Sequence, residues 1–412
     1  VKGGPMITAE QLGQRLRIAR GSASQDMVAA ELGVPRSAIS NMESGLRQVS
    51  SIELTRLAAL YGRPIEWFVS PNTQEDATDT VTWLLRQEPG LAEGEVRQHV
   101  TRAIQAFRDG RSLLRLLDRE QTTALPRYDL PAPRNTGAAI AQGQAVAEQE
   151  RRRLELGNAP IRDLADLIWA QGVWAATVDL PDRMAGLFVR GDDFGMAVLA
   201  NAKQVSGRRR FSLAHEYGHA LMDRDQPAAV TQEQNRKDPR EQRANAFAAS
   251  FLMPAEGVRE FLATLGKGHG SRREEAVPDA VAEFEGSRGE LRSPPRSQTV
   301  TYVDVALIGE QFGVSYPATV WRLLGLDLIN SATADTLMKQ TTAANRYLKE
   351  VKSMGGDAAP PMTDADLRWQ IFPLAIEAWR RELITEGRLR EVATHLNFED
   401  PEVAVELAEL LV

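Results

Sequence analysis

The chain has no cysteine. That excludes disulfides, thiolate ligands and iron–sulfur clusters, and it leaves imidazoles and carboxylates as the only strong ligands for a metal ion. Histidine is scarce, with five in 412 residues, so two at a ligand spacing carry weight. No apolar run approaches the roughly 20 residues of a membrane span, and no signal-peptide pattern opens the chain. Val1–Pro5, ahead of Met6, reads as appended sequence. The expectation is a cytoplasmic protein with no membrane partner. A net charge of −7 excludes general attraction to nucleic acid, except in a first module where residues 1–70 carry eight basic and six acidic side chains. With 43% hydrophobic residues, a chain of this length buries a large core and divides into about two to four domains.

What is present is Phe211-Ser212-Leu213-Ala214-His215-Glu216-Tyr217-Gly218-His219-Ala220-Leu221-Met222, an H-E-x-x-H spacing in a helical, apolar-flanked stretch. At about 100° per residue, positions i and i+4 project from one helix face roughly 6 Å apart, which suits two nitrogen ligands on one divalent ion. Glu216 then sits beside the open position. A carboxylate there takes a proton from water acidified by the metal and later hands it to a leaving amine, the arithmetic of a zinc-type peptidase. Tyr217, about 200° around the helix from His215, points away.

Glu241 opens a second amphipathic stretch that Pro254 closes. Its carboxylate would complete a His₂Glu set with water in the fourth position, and Asn245, one turn on, would hydrogen-bond a ligating imidazole. The alternative for Glu241 is a helix N-terminal carboxylate favoured by the macrodipole.

Several segments resemble the ImmA/IrrE-type metallopeptidases, over about half the chain from near Ala138 to near Ile329. They are Ala147–Leu154, Ala159–Leu164, Gly172-Val173, Ala185-Gly186-Leu187, Val198–Asn201, Arg209–Glu216, Ala244–Ala248, Leu252-Met253-Pro254, Phe312–Ser315 and Arg322–Leu326. The resemblance implies a cytosolic metal-dependent endopeptidase whose relatives often cleave repressor proteins, relieving repression under stress or in mobile elements. It implies one ion, Zn²⁺ or alternatively Mn²⁺, on His215, His219 and Glu241. The same fold also occurs in regulators without proven proteolysis.

At the N-terminus, Gln11–Arg20 reads as a helix and Ser24–Leu32 as a second, with Ser24 as N-cap. Gly33-Val34 supplies the turn, and Pro35–Glu43 a third helix with Pro in its first turn. Ala29, Leu32, Val34, Ile39 and Met42 share one core. Arg36, Ser37, Ser40 and Asn41 are left outward, able to reach base edges and phosphates in a major groove, while Gln25 would touch the DNA backbone. With Ser51–Leu60 and Pro64–Phe68, this stretch resembles the Xre/Cro-type helix-turn-helix family, in which Arg20 and Glu43 would pair. The turn Gly21-Ser22-Ala23 is about two residues shorter than usual by that alignment. The implied partner is double-stranded operator DNA, bound by a homodimer because each module carries little excess positive charge.

The expected fold is mainly α with a small β-sheet. An all-α helix-turn-helix bundle covers 6–70 and a helical segment and linker 71–134, with Pro126, Pro131 and Pro133 as hinge. An α+β zincin-like, gluzincin-type peptidase domain covers 135–344, with a mobile insertion near 266–298, and a helical C-terminal extension covers 345–412. Val173–Val178, Ala185–Val189 and Met196–Ala200 read as strands, the last offering an edge for an extended substrate. In the extension Trp369, Ile371, Phe372, Leu374, Ile376 and Trp379 make one apolar face. Tyr302 is a candidate oxyanion donor. His269 reads as a solvated loop residue, and His99 and His395 have no partner pattern. The functional expectation is a DNA-binding regulator that cleaves a repressor. Its rival is a transcription factor whose peptidase-like domain senses a ligand or metal without proteolysis.

Overall fold

The computed structural model describes residues 7–20, 24–61, 65–69, 93–119, 125–191, 193–224, 228–232, 237–267, 272–277, 287–292, 297–353 and 367–410. The chain divides into two compact units, Val1–Glu75 and Asp76–Val412. No described helix is long and apolar enough to cross a membrane.

Among its described residues the first unit holds five helices: α1 (Ala9–Arg20), α2 (Gln25–Leu32), α3 (Arg36–Glu43), α4 (Ser51–Tyr61) and α5 (Ile65–Val69). Leu16, Val28, Ala29, Leu32, Ile39, Met42, Leu54, Leu57 and Phe68 form its core. Ser24 caps α2 by accepting from the Met27 amide, and Gly33 takes the left-handed conformation (φ 71°) that ends it. Pro35 stands at the N-cap of α3, one position earlier than the sequence reading placed it. Glu43 is buried and holds Arg20 (Nε–Oε1 2.5 Å) and the Gln25 amide (2.8 Å). The short turn Gly21-Ser22-Ala23 lies outside the described residues.

The second unit is organised by a four-stranded sheet in the order β1-β3-β2-β4, made of β1 (Val173–Val178), β2 (Met184–Gly191), β3 (Gly195–Asn201) and β4 (Ala228–Gln232). β1 runs parallel to β3, and β2 is antiparallel to both β3 and β4. Successive side chains of a strand face opposite ways, and here each face meets its own core. Val173, Ala175, Phe188, Val198 and Ala200 pack with the site-bearing helices. Trp174, Ala176, Leu187, Val189, Ala197 and Leu199 pack on the other side. Burial on both faces explains why the strands read as apolar runs with little alternation. β3 is interior, paired on both sides, so the strand ahead of the metal helix is not the edge expected from the sequence. The edges of this sheet are β1 and β4.

The second face is covered by α6 (Glu93–Leu116), which contributes Val100, Ile104 and Phe107, and by helices from the far end of the chain. The stretches before and after the peptidase-like region thus share one core. Buried Asp109 on α6 joins them through Arg388 (2.8 Å) and His395 (2.6 Å). Trp369, placed on the apolar face of the tail by sequence pattern, is 81% exposed instead. The proline-bearing segment read as a hinge is fastened to the rest of the unit. Tyr128 donates its amide to the Leu221 carbonyl (3.1 Å) and its hydroxyl to Glu150 (2.9 Å), and Arg224 donates to the carbonyls of Leu125 and Pro126.

On the first face lie α7 (Thr136–Arg153), α8 (Leu164–Ala170), α9 (Ser206–Met222), α10 (Pro239–Leu252) and α11 (Ala255–Thr264). They are followed by α12 (Tyr302–Phe312), α13 (Tyr316–Gly325), α14 (Ser331–Met338) and α15 (Thr341–Ser353). The tail helices on the opposite face are α16 (Leu367–Arg380), α17 (Glu386–His395) and α18 (Pro401–Glu409). Within the insertion, β5 (Arg272–Val277) pairs antiparallel with β6 (Ser287–Arg292). These strands are highly charged and lack a period-two apolar pattern, so the stretch that read as a mobile insertion contains a ladder its composition does not signal. His269 lies outside the described residues.

α10 packs along α7 with unusual closeness. A Cβ on Gly143 would stand 2.2 Å from the Arg243 carbonyl oxygen and 2.8 Å from the Phe247 nitrogen. Helix propensity favours Ala over Gly by about 1 kcal/mol, whereas a backbone collision forces the helices apart at about 1–3 kcal/mol. Gly143→Ala is therefore expected to melt below the unaltered protein, and a higher melting temperature would show that α7 and α10 do not approach this closely.

Candidate metal centre

β3 leads into α9 through a turn tied by buried Asn201. Its amide donates to the carbonyls of Pro181 (3.0 Å) and Met184 (2.9 Å), and its Oδ1 accepts from the Lys203 nitrogen (3.1 Å). This fixes the start of α9 against β2. Ser206–Met222 then runs with one face wholly inside, placing His215 and His219 one turn apart at 2% exposure each and Glu216 at 0%. α10, capped by Asp238 on the Arg240 amide, brings Glu241 (8% exposed) to the same point.

The three ligand candidates converge. Nε2 of His215 and Nε2 of His219 are 3.1 Å apart, Glu241 Oε2 is 3.2 Å from the first, and Oε1 is 3.3 Å from the second. Ligand atoms at about 2.0–2.1 Å from a tetrahedral ion are separated by about 3.3–3.4 Å, so the donor set fits a zinc-sized cation with little movement. Each imidazole is also held from behind, His215 Nδ1 at 3.0 Å from Asn245 Oδ1 and His219 Nδ1 at 3.0 Å from Asp223 Oδ2. Among the described residues this is the one such cluster able to hold a metal.

Burial alone would lower the His219 pKa, but hydrogen bonds to Asp223 and Glu241 and the charges of Glu216 and Glu241 outweigh it and raise it to about 10. Burial likewise pushes Glu241 upward, and its two histidine contacts more than reverse this, holding it well below the usual carboxylate range. Without metal, the site keeps a proton on His219 at neutral pH.

Glu216 faces β2. A Cβ on Gly186 would lie 2.5 Å from Glu216 Oε1 and 2.9 Å from its Cγ, so only glycine leaves room for this carboxylate. The β2–β4 register shifts between Met184 and Gly186, which makes the strand irregular at that point. The signal was available as a lone glycine inside a strand pattern, which marks close approach of another group. Asp223, also missed, sits four residues beyond His219 and hence on the same helix face. Tyr217 does point away, donating its hydroxyl to Glu150 Oε1 at 2.6 Å. Tyr302 lies at the first turn of α12, half-buried against the main core.

In the first unit, Arg36, Ser37, Ser40 and Asn41 are all exposed on α3, with Arg36 3.6 Å from Asp26. Gln25 is half-buried, and its amide is engaged by Glu43.

Two outcomes follow from this geometry. Because a proton must leave His219 as a cation enters, Zn²⁺ added to weakly buffered metal-free protein at neutral pH should release protons, and apparent affinity should rise with pH; uptake without proton release would contradict the raised His219 pKa. Gly186→Val should leave ion uptake by the three ligands intact while displacing the Glu216 carboxylate in a structure of the variant. An unmoved Glu216 would show that β2 has slack.

Residues 179–291, which contain His215, Glu216, His219 and Glu241, match the family model of the IrrE N-terminal-like domain. Residues 14–68 match that of the helix-turn-helix. No curated protein matches the chain. Among solved structures it is similar to Bacillus thuringiensis PlcR, determined in complex with the peptide PapR7 and DNA. That match covers 98% of this chain and 99% of the other at 11% identity, and its TM-score of 0.16 is too low to bear on fold or function. The chain thus joins an Xre-type helix-turn-helix domain to an IrrE/ImmA-like, peptidase-family domain.

Proposed function

We propose that this protein is a DNA-binding transcriptional regulator with metal-dependent endopeptidase activity, directed at a repressor protein. The observation that carries the reading is the convergence of His215, His219 and Glu241 with Glu216 on the same helix beneath Gly186. When bound, a divalent ion supplies Lewis acidity, polarising a peptide carbonyl and acidifying water. The remaining work falls to the chain. His215, His219 and Glu241 hold the ion, with Asn245 orienting His215 from behind. Glu216 accepts a proton from the attacking water and returns it to the leaving amine. Close packing around Glu216 excludes bulk water, which strengthens its electrostatic coupling to the site. Zn²⁺ is the ion favoured by two imidazoles and a carboxylate.

The helix-turn-helix unit would place the enzyme at an operator. Arg36, Ser37, Ser40 and Asn41 face outward to read base edges and phosphates, and Gln25 supports α3 through Glu43. A homodimer would read two half-sites. The substrate is then a repressor bound nearby. A second copy of this chain cut in its proline-bearing segment is a poorer substrate, because Tyr128 and Arg224 fasten that segment to the end of α9.

One observation favours a second reading, a regulator that senses a ligand or metal without proteolysis. All four site side chains are at least nine-tenths buried, so a peptide gains access only when covering structure moves. The deciding experiment incubates the purified protein with purified repressor proteins as trial substrates, with Zn²⁺ or Mn²⁺ and with double-stranded DNA, and reads fragments by mass spectrometry. Glu216→Gln is expected to keep its metal and its DNA affinity and to lose cleavage by at least about 100-fold, in the range general-base catalysis supplies. Equal fragmentation by the variant, or none by either protein with metal and DNA both bound, would leave the sensor.

A further inference from the structure

The two imidazoles of the site are held from behind by chemically different groups. Asn245 presents a neutral amide oxygen to His215, and Asp223 presents a carboxylate to His219, both at 3.0 Å from Nδ1. An ionised carboxylate only accepts hydrogen bonds, so Nδ1 of His219 must be the donor. With one proton committed to Nδ1, the nitrogen that faces Glu241 and His215 is Nε2, and it is the one left to offer a lone pair where an ion would sit. A negative partner also raises the basicity of the ring above what an amide oxygen achieves.

A carboxylate so close to a metal site has a competing option, to swing inward and become a ligand itself. The structure closes that option. Asp223 Oδ1 is taken by the Arg243 guanidinium, while Oδ2 is taken by His219. Arg243 is 3% exposed and is anchored in turn by donation to Gln142 Oε1 on α7 at 3.2 Å. Both oxygens are therefore spent, and the orientation is set by two elements, α10 and α7, that do not belong to the metal helix. We propose that Asp223 is a positioning residue for the metal centre: it locks His219 in the Nδ1–H tautomer, and Arg243, braced by Gln142, locks Asp223.

This inference rests on the metal-centre reading. The competing account is that Asp223 merely neutralises a buried arginine between α9 and α10. A neutralising role would lower thermal stability on substitution and leave the ion and its ligands unchanged. A positioning role changes the ion's affinity and its electronic environment in protein that is still folded. The experiment loads the full chain with Co²⁺ under chelator competition and records both the dissociation constant and the visible absorption spectrum. Asp223→Asn keeps the shape and an acceptor oxygen but removes the charge, and Asp223→Ala removes both.

The expected order of affinity is unaltered protein, then Asn, then Ala, with a loss on the order of 10–100-fold for Ala, the size usual for groups behind a ligating histidine, and a shifted spectrum. Unaltered affinity and spectrum in both variants, with only the melting temperature lowered, would overturn the proposal in favour of simple charge neutralisation. If Asp223→Ala does not fold, Asp223→Asn alone decides between the two accounts. Failure of the unaltered protein to take up Co²⁺ would remove the metal reading itself and this inference with it, an outcome distinct from a variant that binds as well as its parent.

Discussion

Four ionisable side chains meet inside an apolar core, and much of the second unit is arranged around that fact. Imidazoles and carboxylates taken out of water are unfavourable unless each is partnered. His215 and His219 each have a partner on either ring nitrogen. Glu241 divides its two oxygens between them. The partners come from different elements, so the site is stable only when α9, α10 and β2 are in register with one another. Gly143 lets the backbones of α7 and α10 come close, and Gly186 leaves room on β2 for the Glu216 side chain.

The surroundings are held by a second device, buried arginines that donate to backbone carbonyls at the ends of helices and loops. Arg151 reaches the carbonyls of Phe251, Gly157 and Ala159, Arg210 those of Ile161 and Arg162, and Arg322 that of Met253. Burial lowers Arg151 and Arg322 to about 10, which leaves both charged at neutral pH. Each guanidinium offers several donors in a rigid fork, so one side chain satisfies several otherwise orphaned carbonyls. The end of α10 is fixed in this way by residues distant in sequence, and Glu241 at its start is thereby held against α9.

The far ends of this unit are joined through its sheet. α6 and the tail helices are separated in sequence by the whole peptidase-like region, yet they cover one sheet face and meet at Asp109. The proline-bearing segment between α6 and α7 is bonded to Leu221 and Arg224, directly flanking Met222 and Asp223. Asp109, like Glu241, is a buried carboxylate whose partners lie far along the chain.

Local chemistry was legible in the sequence wherever it obeyed a short period. The i, i+4 histidines, the Ser24 cap, the Gly33 turn and the strands β1, β2 and β3 all depend on neighbours within a few residues, and β1 was read with its observed bounds. What depended on distant neighbours was not legible. The interior place of β3 is decided by β1 and β2, which pair with it on its two sides, an arrangement no local pattern announces. The exposure of Trp369 and the partners of Asp109 and Asp223 arise between elements far apart in sequence. So the sequence alone determined which side chains can bind a metal and which helix carries them, because the helical repeat sets their spacing. Only the tertiary structure decided that Glu241 reaches them, that Gly186 makes room for Glu216 and that Asp223 stands behind His219, because packing between separate elements sets those distances.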